Sequence, residues 1–166
     1  MFRSAPREEG EPLGVLLLPG KLEEIRLEQH ARDLLSIPRV LALEPPRLRL
    51  SRSLSEGTSG RQAARLRLPG RPRLLVLYHP AQYPLARALL VRNKDAELWY
   101  IPPAGESVER PEQEFDVMAR ERAAQVLDVA DDGTVNDAAL RERLTDLGII
   151  SPYAFIPDRP RRPGRF

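Results

Sequence analysis

The chain holds two histidines, and one of them, His79, stands where an imidazole could act. It follows the apolar run Leu74–Tyr78 and precedes Pro80. An imidazole changes charge near neutral pH, so it can take or give a proton there. Other groups of suitable chemistry stand at the ends of similar runs. Gly20-Lys21 follows Val15–Pro19, where a lysine and helix-terminal amides could receive an anion. Glu44, before Pro45-Pro46, could bind a hydroxyl or assist His79 in proton transfer. Gln82, Tyr83 and Tyr100 are of the types that hold a sugar or a phosphate. Each also has a plainer reading. His79 would bond a loop carbonyl and end its strand, Lys21 would be solvated beyond a turn, and Glu44 would pair with an arginine. The residues alone leave both readings open.

Four short runs must position these groups: Val15–Leu18, Val40–Leu43, Leu74–Tyr78 and Leu98–Ile101. Continuous apolar runs of this length suit strands buried on both faces, as in a parallel sheet. Each run soon meets a proline (Pro19, Pro45, Pro80 or Pro102), which lacks the N–H needed to continue a ladder. In a parallel sheet the four stops share one rim, and open α/β sheets bind ligands outside the carboxyl ends of their strands.

Between the runs, helical spacing places Leu27, Ala31, Leu34 and Leu35 on one face of a helix from about Leu22 to Ser36. A second helix is expected to begin near Pro84. A third runs from about Pro111 to Leu127, with Phe115, Met118, Ala119, Val126 and Leu127 inward. A last helix, Asp137–Leu147, is capped by Asn136 and stopped by Gly148. Residues 46–72 read as a long basic loop, Ser/Gly-rich at its centre and without an aromatic anchor. Residues 1–12 read as a disordered leader and 158–166 as a basic, proline-rich tail, leaving one domain over 13–157. The expected architecture is a single Rossmann-like three-layer α/β domain with a mainly parallel sheet of about four strands.

Composition excludes several classes. With no cysteine, disulfides, iron–sulfur clusters and thiolate zinc sites are ruled out, and a reducing, cytoplasmic setting is expected. No apolar stretch reaches the length of a membrane span. Two histidines and no carboxylates at ligand spacing argue against a metal site. Asp131-Asp132-Gly133 lacks the alternating ligands of a calcium loop and reads as a turn. No Gly-x-Gly-x-x-Gly follows the first run, so dinucleotide binding of the usual kind is unsupported and no cofactor is expected. The basic segment Arg47–Arg73 could contact phosphates but lacks interleaved aromatics for single-stranded binding, so nucleic acid is disfavoured. The 24 arginines against 2 lysines fit a GC-rich coding bias, which weakens any inference from arginine number.

Arg26–Leu34 followed by Arg39–Pro46 resembles the amino-terminal domain of GT-B glycosyltransferases, where a helix precedes a strand ending in Glu-Pro. Leu74–Ala86 is similar to a strand and helix of that domain, and the resemblance spans about residues 14–103. It implies an acceptor-side module that binds a sugar or nucleotide sugar. The donor half of such enzymes is a second domain for which this sequence has no counterpart. The expectation is therefore a module that binds a ligand or protein partner rather than catalysing alone. Two rivals stand beside it. One is a small enzyme using His79 with Glu44 or Lys21. The other is a structural subunit whose acidic residues 111–147 meet a basic partner or the basic segment of a second copy.

Overall fold

The structure, a computed structural model, describes residues 10–18, 28–43, 52–102, 112–127 and 137–150. Its strands are β1 (Pro12–Leu17), β2 (Val40–Leu43), β3 (Arg71–Leu77), β4 (Glu97–Tyr100) and β5 (Gln125–Val126). The helices are α1 (Glu28–Leu35), α2 (Arg52–Arg65), α3 (Tyr83–Arg92), α4 (Glu112–Arg122) and α5 (Asp137–Asp146). Strand and helix alternate throughout. All four strand pairings are parallel, in the order β2-β1-β3-β4-β5. The expected parallel α/β domain is therefore what the chain forms, with one strand more than the four apolar runs indicate.

The apolar runs build a sheet buried on both faces because alternate side chains leave a strand on opposite sides. Val15, Leu17, Leu75, Leu77, Leu98 and Tyr100 meet residues of α2, α3 and α4, among them Ala63, Leu85, Leu89 and Phe115. Leu16, Leu74, Val76 and Trp99 meet Ala31 and Leu34 of α1 and Leu140 and Leu144 of α5. The result is three layers. Leu17, Leu75, Leu77 and Leu98 are each fully buried, and each such leucine contributes about 1.5–3 kcal/mol relative to exposure.

Two segments differ from their expected form. Residues 46–72 were expected as a loop, yet Arg52–Arg65 is helical. Ala63 of α2 is buried in the sheet's core, and α2 packs along α3. Tertiary packing there outweighs two glycines and a serine-rich sequence. The helix expected over 111–127 instead ends at Arg122. The Ala124 N–H donates to the Leu98 carbonyl at 2.8 Å and the Leu127 N–H to the Tyr100 carbonyl at 2.9 Å, which docks Gln125–Val126 as β5. Val126, expected inward, is 38% exposed at this sheet edge.

Other boundaries follow local chemistry. β1 begins at Pro12, ahead of the apolar run proper. Gly148 adopts φ +82°, the left-handed conformation that ends α5, and Ile149 and Ile150 dock into the core. Gly70 lies so close to β1 that a Cβ there would stand 2.5 Å from the Glu11 carbonyl oxygen. Residues 1–9 of the expected leader and the tail 158–166 lie outside the described residues. Among the described residues, no helix is long and apolar enough to cross a membrane.

Candidate functional site

The strands end nearly level. Leu17 is in register with Leu43 and Leu77, Leu77 with Tyr100, and Tyr100 with Val126. One more hydrogen bond closes each ladder: Leu18 N–H to the Leu43 carbonyl at 3.0 Å, Tyr78 N–H to Leu17 at 3.2 Å, and Ile101 N–H to Leu77 at 2.8 Å. The ends of the described runs thus form one carboxyl rim.

The order places a reversal at β1. From β1 the chain moves outward to β2, then crosses back to β3 and continues to β4 and β5. In a doubly wound sheet such a reversal opens a crevice beyond the strand ends, where ligands bind. Here it lies between the ends of β1 and β3, and His79 and Gln82 leave β3 beside it.

Pro80–Gln82 form a single 3-10 turn that leads directly into α3. His79 caps this turn: the Ala81 N–H donates to His79 Nδ1 at 3.1 Å, and the Gln82 N–H donates to the His79 carbonyl at 3.1 Å. Because Nδ1 accepts, the neutral ring carries its hydrogen on Nε2. His79 itself is half-buried.

Gln82 is 4% exposed and is the one buried polar residue among the described residues. Its Nε2 donates to the Leu18 carbonyl at 3.0 Å, fastening the turn after β3 to the end of β1. Leu18, an apolar residue acting through its backbone, carries no sequence signal for this part.

The two tyrosines lie inside the fold. Tyr100 is fully buried and its hydroxyl donates to Asp116 Oδ1 at 2.6 Å. Asp116 Oδ2 lies 3.0 Å from Arg120 Nε, and the Arg120 guanidinium sits 5.7 Å from the Tyr100 ring centroid. Burial first, then the bond and charge of Asp116, push the Tyr100 hydroxyl far above the ordinary phenol range. Burial also raises Tyr83, against the nearby Arg87 and Arg122, and its ring lies 6.4 Å from that of Phe115. Neither phenol is poised for proton transfer near neutral pH. The Asp116–Arg120 pair was detectable in the sequence only as an i,i+4 spacing on a helix.

Of the candidate residues, His79 and Gln82 come together at the reversal in strand order, while Tyr83 and Tyr100 lie in the core on the α3–α4 side. Gly20, Lys21 and Glu44 lie outside the described residues. Among the described residues no three His, Asp or Glu side chains are grouped to hold a metal ion.

Compared with models of protein families, with curated proteins and with solved structures, the chain finds no match in any of the three.

Proposed function

We propose that the chain is a binding module whose ligand sits at the carboxyl rim between β1 and β3, related to the acceptor half of a GT-B glycosyltransferase. The ligand class is a sugar or nucleotide sugar. The observation that carries this reading is the reversal of strand order at β1, the place where open α/β sheets bind ligands. With Nδ1 engaged as an acceptor, the hydrogen of the neutral ring is on Nε2, so the outer nitrogen is a donor and not a base. A general base at Nε2 would need the hydrogen on Nδ1, where it would face the Ala81 N–H. The geometry therefore disfavours proton abstraction by His79. Gln82 supports the same reading, since it pins together the two strand ends that border the crevice.

The test is thermal denaturation of the full chain with nucleotide sugars such as UDP-glucose and with simple glycans. A ligand at 100 times its dissociation constant stabilises by about 2.7 kcal/mol. For a domain of this size that raises Tm by roughly 5–10 °C. His79→Asn keeps a side-chain oxygen to accept from Ala81 N–H but lacks Nε2–H. It should stay folded by circular dichroism and lose most of the shift. No shift with any of these compounds removes the sugar-ligand reading.

A further inference from the structure

The opposite edge of the sheet carries a second, unrelated feature. In a parallel sheet every connecting helix ends at the amino edge, so the ends of α2 and α3 lie beside the starts of β3 and β4. The contact between Arg71 Nη1 and Asp95 Oδ2 at 3.8 Å, and the bond from Arg73 Nε to the Asp95 carbonyl at 3.4 Å, bring these two connections together. Arg65 and Arg67 precede β3 and Arg92 and Lys94 precede β4 at this edge, and all four are exposed. None of the four makes an ion pair among the described residues. Arg71 Nε is buried there without a hydrogen-bond partner. The acids nearby are already engaged: Asp95 by Arg71, and Glu97 by Arg143 at 2.7 Å and Trp99 at 2.6 Å.

A bland explanation covers half of this. Arg65 and Arg92 lie in the last turns of their helices, where a cation complements the helix dipole. Arg67 and Lys94 lie beyond the helices, and Arg71 opens a strand, so the dipole does not account for them. The formation of α2 matters here, because it fixes Arg65 and Arg67 next to the α3 end instead of leaving them on a loop.

The geometry points to a surface for the phosphate backbone of double-stranded nucleic acid at this amino edge. Guanidinium forks match phosphate oxygens in pairs. Adjacent helices stand about 8–10 Å apart, so cations at two helix ends suit a row of phosphates better than one small anion. Among the described residues the exposed large apolar side chains are Val91, Val117 and Val126, with no exposed aromatic. That composition lacks the anchors of a protein hot spot or of an interfacial membrane helix. Contacts to the backbone alone require no aromatic stacking, so the missing aromatics of the basic segment do not count against a duplex.

The test is anisotropy of a labelled duplex of about 20 base pairs titrated with the full chain at 50 and 200 mM salt. Neutralising about four phosphates gives a slope of about −3.6 in log K against log salt, a loss of roughly a hundredfold across that range. Arg67→Ala with Lys94→Ala should weaken binding about tenfold or more and make the slope shallower by about 1 per cation, for any duplex sequence. Arg87→Ala, which removes an exposed charge from the middle of α3 and away from the amino edge, should leave both unchanged. Unchanged circular dichroism and Tm show that the double variant is folded. No binding at 50 mM salt, binding undiminished in the double variant, poly-glutamate competing as well as duplex, or inorganic phosphate displacing the duplex at low millimolar concentration would each overturn the assignment.

Discussion

Gln82 Nε2 lies 3.0 Å from the carbonyl oxygen of Leu18, so a buried side chain after β3 holds the end of β1 across the reversal in strand order. The bond crosses the reversal in strand order, and it is made by the one buried polar residue among the described residues. It explains why a polar group is tolerated there: its desolvation is offset by a hydrogen bond to a buried backbone carbonyl.

Gln82→Leu should therefore destabilise the fold by about 1–3 kcal/mol, the cost of leaving a buried carbonyl unsatisfied. Chemical denaturation measures it. Hydrogen exchange should also quicken at the Ala81 and Gln82 amides relative to the centre of β3. A variant as stable as wild type would mean that the Leu18 carbonyl is satisfied elsewhere.

Tyr100→Phe removes the hydroxyl that donates to Asp116 at 2.6 Å while keeping the ring in the core. A loss of about 1–2 kcal/mol is expected, since the acceptor is a carboxylate. Asp116→Asn keeps an acceptor oxygen and should cost less than Asp116→Ala. Equal losses for the two would contradict the role given to this bond.

Glu97 joins β4 to α5. Its carboxylate accepts from Arg143 Nη2 at 2.7 Å and from Trp99 Nε1 at 2.6 Å. Burial works to raise its pKa, but these two bonds and the arginine charges prevail and hold it below the usual carboxylate range. A carboxyl depressed in the folded state stabilises the protein above its unfolded pKa of about 4.3, and that contribution fades as pH falls through the lower folded value. Wild-type stability should thus drop in acid below about pH 4. Glu97→Gln should remove this component of the drop and lower stability at pH 7. Parallel pH–stability curves for the two proteins would rule the linkage out.

Gly70→Ala would place a Cβ 2.5 Å from the backbone carbonyl of Glu11, which accepts from the Arg71 N–H at 2.7 Å. Backbone must shift to admit it, so a cost of about 1–3 kcal/mol is expected. Gly60→Ala is the matched control. It meets nothing within 4 Å and removes a helix-interior glycine, so it should stabilise by about 0.5–1 kcal/mol.

The four strands marked by proline were readable because each is a contiguous apolar run with a chemical stop, and parallel pairing then dictated a common rim. α2 was not readable. Its residues show no apolar period, and Ala63 is the buried residue described on it, so its helix depends on the sheet and on α3. β5 was hidden because two residues, Gln125 and Val126, carry no run at all, and both are exposed. At the site, residue type pointed to His79 and Gln82, but not to what they do. The Nδ1 cap depends on the backbone of a 3-10 turn, and the Gln82 bond depends on a carbonyl 64 residues away in the chain. Tyr83 and Tyr100 looked like rim residues by position. Strand alternation and the packing of α3 and α4 turn both inward.

The donor role of His79 is tested most directly by the nitrogen chemical shifts of its ring, measured by NMR in the full chain at neutral pH. Protonated Nε2 and unprotonated Nδ1 is the predicted result. A ring carrying its hydrogen on Nδ1, leaving Nε2 open as a base, would contradict the account.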